Sequence, residues 1–139
     1  GVGAPEGSYD AGANYAIEVG FQPYIPIAVA AELSFADYSD GPNRLTRTSI
    51  LMKGSYNFGG QIPLIRYSYV GFGLGPVWEE KSNATNSMAI GFLPNAGLDY
   101  PLKNLLDSPL SVGMNISYLT TTRSTPDVLA INGMVKYWY

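Results

Sequence analysis

The chain has 139 residues, a formal net charge of −3, and neither cysteine nor histidine. These totals exclude disulfide scaffolds, thiolate metal sites and histidine-based catalysis, and they give no reason to expect nucleic acid as a partner. Only 14% of the residues are charged, against roughly 25% in an ordinary soluble domain. No stretch approaches the ~18 consecutive apolar residues of a transmembrane helix. We expect one domain over residues 1–139.

Large apolar residues alternate with small or polar residues along most of the chain, and this period of two predicts β-strands. In chain order the alternating segments are 14–22, 25–36, 47–58, 64–78, 87–100, 110–120 and 129–139. Short turns alternate with the more polar connections 39–46, 79–86 and 121–127, as an up-and-down meander requires. The phase changes within 64–78 near Tyr69 and Val70, which we interpret as a β-bulge. The alternative is one strand whose two halves are patterned differently.

Single-chain membrane barrels use an even number of strands, so seven segments leave one strand unaccounted for. Residues 8–12 should lie at the outer end, and a strand should therefore precede them, yet residues 1–7 are few and include Pro5. The alternatives are a short first strand, a first strand missing upstream, or closure by another subunit. We expect an all-β, antiparallel, up-and-down transmembrane β-barrel of about eight strands, whose first strand is truncated or poorly represented.

The less apolar face of the segments is rich in Gly, Ala, Ser and Asn, which suit the narrow lumen of an eight-stranded barrel. The apolar face carries no charge along its spans, as expected if a lipid-facing Arg or Lys costs ~2–4 kcal/mol at the bilayer midplane. We expect the inward charges to form cross-strand pairs that stabilise the barrel, with a narrow ion-conducting path as the alternative. The predicted lumen charge cluster consists of Glu18, Glu32, Arg47, Lys53, Arg66, Asp99 and Lys136.

Aromatic residues lie near both ends of the apolar spans, which is typical of the two interfacial girdles of membrane barrels. A soluble β-sandwich with a tyrosine-rich core is the other interpretation of this pattern. The predicted girdle consists of Phe21, Tyr24, Phe35, Tyr38, Tyr56, Phe58, Trp78, Tyr100, Tyr118, Tyr137, Trp138 and Tyr139.

Three stretches resemble the small outer-membrane barrels of the OmpA/OmpX/opacity-protein type. They are the glycine-rich residues 69–78, the following residues 92–100, and the terminal residues 133–139. The resemblance implies a bacterial outer-membrane location, with outer-membrane lipids and lipopolysaccharide as partners. It also implies that the barrel-assembly machinery recognises the terminal aromatic residue. This residue is Tyr139 here, whereas Phe is commoner in the family.

The composition argues against an enzyme. Outer-membrane deacylases, palmitoyltransferases and omptin-like proteases depend, by this resemblance, on a histidine that the chain lacks. The carboxyl groups of Glu79 and Glu80 could act as a general acid and a general base. Adjacent glutamates in a polar connection are, however, typical of a solvated loop end. We expect no catalytic, cofactor or metal site. The leading hypothesis is an envelope or surface-contact barrel. A small pore, alone or as a homo-oligomer, and a soluble lipocalin-like ligand-binding barrel are the alternatives.

Overall fold

The chain forms a closed antiparallel β-barrel. The computed structural model describes residues 1–7, 10–24, 26–59, 65–82, 85–102, 110–123 and 126–137, with the backbone alone for 22–24 and 137. The strands are β1 (Val2–Pro5), β2 (Gly12–Tyr24), β3 (Ile27–Asp40), β4 (Asn43–Asn57), β5 (Ser68–Lys81), β6 (Ser87–Pro101), β7 (Leu110–Thr121) and β8 (Val128–Tyr137). They are arranged around the barrel in chain order. The predicted all-β, up-and-down fold is confirmed, and no helix among the described residues is long and apolar enough to cross a membrane.

Alternation along each strand separates an outer face from an inner face, because successive side chains of a strand point to opposite sides of the sheet. In β6, for example, Met88 and Leu98 are exposed on the outside, whereas Leu93 and Asn95 are buried on the inside. The same parity continues through the neighbouring strands, because β5, β6 and β7 pair in constant register. Large apolar side chains therefore cover the outside of the barrel.

A short first strand closes the barrel. β1 pairs with β2 through Val2 and Gly3, and it pairs with β8 from Val2 to Pro5. Of the three alternatives for the missing strand, the short strand at the beginning is confirmed. The ring of eight strands therefore closes within one chain at the level of β1.

The predicted bulge near Tyr69 and Val70 is wrong. β5 begins only at Ser68, and its register against β6 runs without interruption to Glu79. Residues 65–67 form a turn, so their apparent alternation belongs to no strand and the change of phase has no structural counterpart. The register shift that the barrel does contain lies in β2, between Phe21 and Tyr24.

Three strands extend further than predicted into the polar connections. β3 and β4 run to a tight turn at Gly41 and Pro42, where Gly41 has a φ of +56°, a left-handed conformation that favours glycine. β5 likewise continues through Glu79 to Lys81. The extension of these strands brings Tyr38, Leu45 and Glu79 into the barrel wall, where alternation assigns them to the inner face.

Candidate functional site: the charged interior of the barrel

Ion pairs occupy the interior of the barrel at three heights. We call the end at which β3 turns into β4 the upper end, and the opposite end the lower end. The upper pair is Arg47 with Glu79. The central triad is Lys53 with Glu18 and Glu32, and the lower pair is Lys136 with Asp99. The structure therefore brings six of the seven predicted lumen charges inside and adds Glu79.

The upper pair is almost completely buried, with side chains only 2% and 1% exposed. Arg47 and Glu79 are direct partners in the register of β4 and β5, so the sheet itself places the two side chains together. Arg47 Nε donates to Glu79 Oε1 at 2.8 Å, and Arg47 Nη2 donates to the carbonyl of Pro126 at 2.8 Å. Arg47 Nη1 and Glu79 Oε2 have no hydrogen-bond partner among the described residues.

Two apolar layers enclose the upper pair from above and below. The upper apolar layer is Ala36, Tyr38, Leu45 and Val128, and the middle apolar layer is Leu51, Val77, Leu93 and Leu119. Because both side chains are almost completely buried, the charges of the upper pair interact at a lower local dielectric than in bulk water. A cavity of about 40 Å³ remains inside the barrel and is lined in part by Glu32, Ser34 and Arg47. This is room for only a few water molecules.

The central triad places one cation between two carboxylates. Glu18 and Glu32 are directly opposite each other in the register of β2 and β3, where like charges destabilise a sheet. Lys53 from β4 resolves this repulsion, because its Nζ lies 2.5 Å from Glu18 Oε2 and 2.7 Å from Glu32 Oε2.

Replacing Lys53 by methionine should lower the free energy of unfolding by about 2 kcal/mol, because two facing carboxylates lose their shared cation. Reversible urea unfolding, followed by fluorescence in detergent or lipid, measures the change. The control is Arg66→Met, which removes an exposed cation and should change stability by less than about 1 kcal/mol. Equal effects of the two substitutions would contradict a stabilising role for the triad.

The lower pair belongs to a wider polar network. Lys136 Nζ lies 2.9 Å from Asp99 Oδ2 and 4.6 Å from the ring centroid of Tyr69. The Tyr69 hydroxyl accepts a hydrogen bond from Asn115 Nδ2 at 2.9 Å and donates to Met134 Sδ at 3.7 Å. Tyr69 therefore faces the interior and connects β5 with β7 and β8.

The prediction for Arg66 is wrong. It lies in the turn at 65–67 rather than in a strand, and its side chain is exposed. Its guanidinium carbon lies 4.4 Å from the ring centroid of Tyr67, which packs edge to face on Tyr100. Glu79 is a charged lumen residue that the sequence did not indicate. Only continued alternation beyond Trp78 could have indicated it.

The aromatic residues at the strand ends are mostly on the outside. At the lower end Phe21, Tyr56, Phe58 and Tyr100 are exposed, and at the upper end Phe35 and Trp78 are exposed. Tyr118 is also near the upper end, half-buried, with its hydroxyl 2.8 Å from Asp127 Oδ2. The sequence reasoning left Tyr15 out of the girdle, although it pairs with Phe35 and is exposed.

Tyr38 is a correction to the predicted girdle, because it is buried inside the upper apolar layer and only 2% exposed. β3 continues to Asp40, so Tyr38 keeps the inward parity of Ala36. The side chains of Tyr24 and Tyr137, and all of Trp138 and Tyr139, lie outside the described residues.

Charged residues of the outer face lie beyond the aromatic residues. Arg44 Nε donates to Asp37 Oδ1 at 2.8 Å near the upper end, outside the apolar part of the strands. These hydrogen bonds from Arg44 hold the pKa of Asp37 below its ordinary value. Glu80 is also exposed near this end.

The geometry offers no acid–base pair at Glu79 and Glu80. Glu79 points inward to Arg47, whereas the adjacent Glu80 is exposed. No group of three or more metal-ligating side chains occurs within the described part of the chain. Among the residues that the structure describes, the interior holds three cations and four carboxylates, and every carboxylate is paired with a cation, so their chemistry is that of cross-strand ion pairs.

Comparison of the chain with protein-family models, with curated proteins and with solved structures gives no match.

Proposed function

We propose that the chain is an integral β-barrel of a bacterial outer membrane, with a lumen blocked along its axis and an envelope or surface-contact role. The observation that carries the proposal is the outer face of the barrel, where 25 large apolar side chains are exposed. Exposed apolar patches beyond a few hundred Å² are rare on soluble monomers and mark contact with membranes or partners. Here the exposed apolar residues surround the whole barrel, which favours lipid over a local partner.

The dimensions of the apolar band support a bilayer. The outward-facing stretch from Val70 to Trp78 in β5 has nine residues, and that from Met88 to Leu98 in β6 has eleven. A tilted strand needs about 9–11 residues to cross the hydrocarbon core of a bilayer. No outward-facing residue of these stretches is charged, and aromatic rings lie near both ends of the band, as at membrane interfaces.

The interior supports the same proposal over a soluble ligand-binding barrel. Ligand pockets are usually about 300–1,000 Å³ and mostly apolar. The cavity in this barrel is about 40 Å³, and charged and hydroxyl groups contribute to its lining. Ile27, Ile116 and Val135 are exposed rather than packed against one another in a central core.

The position of Trp78 in a bilayer tests the proposal. A Trp138→Phe variant leaves Trp78 as the sole tryptophan, and it is refolded into vesicles that carry bromine near the headgroups or near the bilayer centre. Because Trp78 lies at one edge of the apolar band, we expect stronger quenching of its fluorescence by the shallow bromines than by the deep ones. The comparison variant places the reporter at Phe72, nearer the middle of the same strand. It carries Phe72→Trp, and both native tryptophans are replaced by Phe. That reporter should be quenched more by the deep bromines.

A monodisperse, cooperatively folded chain in plain buffer, with neither reporter quenched by vesicles, would contradict the membrane proposal. It would favour the soluble barrel. The location in the outer membrane of the cell is tested separately by fractionation of the envelope.

The lumen should not conduct ions. The middle apolar layer lies between the upper pair and the central triad, and the cavity beside it has a volume of only about 40 Å³. Planar bilayers containing the purified chain should therefore show no reproducible conductance steps. Steps whose size varies with salt concentration would instead support the small pore, and their loss on dilution of the protein in the bilayer would indicate a homo-oligomeric one.

The role that follows from a lumen blocked along its axis is structural or surface contact rather than transport. The upper end presents Asp37, Arg44 and Glu80 beyond the apolar band. Charged groups at this height suit the headgroup region, and we propose outer-membrane lipids, including lipopolysaccharide, as the partners there.

A further inference from the structure

Among the described residues, no strand lies between the lower halves of β2 and β8. β1 reaches only Gly12 and Ala13 of β2 and residues 128–131 of β8. Gly1 adds one more pair, because its nitrogen donates to the Asn14 carbonyl at 2.7 Å and its carbonyl accepts from the Asn14 nitrogen at 2.9 Å. Below this point, no strand of the described chain pairs with this edge of β2 or of β8. We call the space between residues 15–21 and 132–136 the slot.

Backbone hydrogen-bonding groups face the slot from both sides. Antiparallel ladders alternate between residues that bond to one neighbour and residues that bond to the other. Since Asn14 bonds to Gly1, the N–H and C=O groups of Ala16, Glu18 and Gly20 point to the slot. On the other side Glu6 bonds to Asp127, and the same alternation directs the backbone groups of Gly133 and Val135 into the slot.

Exposure is greatest beside the slot. Tyr15, Ile17, Val19, Phe21 and Val135 are 67–73% exposed, whereas every other large apolar residue of the outer face is at most 58% exposed, apart from Met52. The inner side is open as well, because the Glu18 side chain is 36% exposed and that of Glu32, across the ladder, is only 13% exposed.

An open slot is unstable in either solvent. In hydrocarbon, unpaired backbone groups each cost several kcal/mol, so spanning sheets must be closed. In water, an unprotected strand edge is a template for pairing with another chain. The central triad would also meet the surroundings directly through the slot.

We propose that the slot accepts an extended peptide segment that is joined to the Gly1 nitrogen and continues β1 towards the lower end. Continuity with the existing ladder is the reason for this choice. Gly1 already lies between β2 and β8, because the adjacent Val2 pairs with Ala13 and with Ile131, and a Cβ on Gly1 would meet the Ile131 carbonyl at 2.6 Å. Its nitrogen lies at the head of the slot, where the next peptide bond of a strand would begin. The segment would run antiparallel to both neighbours and complete their ladders.

The register specifies the chemistry of the segment. The residue joined to Gly1 would face outward between Tyr15 and Gly133, and the next would face inward between Ala16 and Met134. Gly133 leaves open space beside it, since a Cβ there would meet nothing within 4 Å. Outward positions therefore suit large apolar side chains, and inward positions suit small ones beside the central triad.

The test compares two extended chains. One carries the extension Gly-Val-Ser-Val-Gly-Val, whose last valine is joined to Gly1, so that the valines face outward. The control carries the same six residues in reverse order, which turns the valines inward. Amide hydrogen exchange is measured by NMR in detergent micelles. In the first chain we expect the amides of Ala16, Glu18 and Val135 to exchange more slowly by a factor of about ten or more. In the control chain we expect no change. Amides of β4 serve as the internal reference.

Unchanged exchange in the first chain, or equal slowing in both chains, would overturn the proposal. A Val19→Cys variant of the unextended chain tests whether a second copy of the chain occupies the slot instead. The chain contains no other cysteine, so a disulfide can form only between the introduced cysteines of two copies. Efficient disulfide-linked dimers would show two copies meeting at the slot and would also overturn the proposal. The exchange measurement in micelles does not depend on the cellular location, so its failure is distinguishable from failure of the proposed function.

Discussion

Replacing Glu79 by alanine should lower the free energy of unfolding by about 3–5 kcal/mol, because it leaves the Arg47 guanidinium buried between two apolar layers without a counter-charge. Arg47 would keep its hydrogen bond to the Pro126 carbonyl, which cannot neutralise a full charge. The Arg47 side chain is only 2% exposed, and the few water molecules for which the adjoining cavity has room cannot neutralise its charge. Reversible urea unfolding in lipid vesicles, followed by tryptophan fluorescence, measures the loss.

The adjacent residue supplies the control. Glu80→Ala removes the same side chain from an exposed position and should change stability by no more than about 0.5 kcal/mol. The double variant Arg47→Met, Glu79→Leu removes both charges and should lie near the stability of the unaltered chain, because well-packed apolar residues replace buried ion pairs at little cost. Similar losses for Glu79→Ala and Glu80→Ala would show that the upper pair does not stabilise the barrel.

The faces of the strands were predictable from the sequence because the two sides of a barrel wall meet different surroundings. In β7, Val112, Met114 and Ile116 face outward while Asn115 and Ser117 face inward, and a period of two expresses this directly. Seven of the eight strands were found in this way. β1 has only four residues, too few for an alternation to be distinguished from chance, and its existence follows from the requirement that the barrel be closed.

The ends of the strands and the pairing of the charges were not predictable in the same way. Alternation continues by accident into the turn at 65–67, which misplaced Arg66, and polar residues near Glu79 resemble a loop although they belong to β5. Arg47 and Glu79 are 32 positions apart, and only the register between β4 and β5 brings them together. Register depends on turn geometry and packing, which one sequence does not display.

The apolar layers of the lumen were missed for a related reason. Leu51 follows the outward-facing Ile50, and Leu93 follows Phe92, so the two faces are both apolar at these points. When both faces are apolar, the sequence does not show which residues point into the lumen. The structure shows it through packing, because a narrow barrel must fill its interior with side chains. Leu51 and Leu93 meet Val77 and Leu119 there.

Placing arginine at Met52 should distinguish a bilayer from water around the barrel. Met52 lies on the outer face near the middle of the apolar band, 66% exposed, with Ala31 and Leu74 as its register partners. In vesicles Met52→Arg should lower the free energy of unfolding by about 2–4 kcal/mol, because the guanidinium must enter or locally deform the hydrocarbon. On a water-exposed surface the same substitution would change stability by no more than about 0.5 kcal/mol. Urea unfolding in vesicles of fixed composition gives the difference.

Thr46→Arg is the matched control, because Thr46 lies on the same strand and the same outer face but beyond the apolar band. Its register partners are Asp37 and Glu80, which favour a cation, and the depth dependence of lipid-facing charge predicts a loss of about 0–1 kcal/mol there. The contrast between two positions on one strand separates the effect of depth from the effect of adding arginine to the sheet. If Met52→Arg cost no more than Thr46→Arg, the outer face would not be in contact with hydrocarbon, even though the barrel itself were intact.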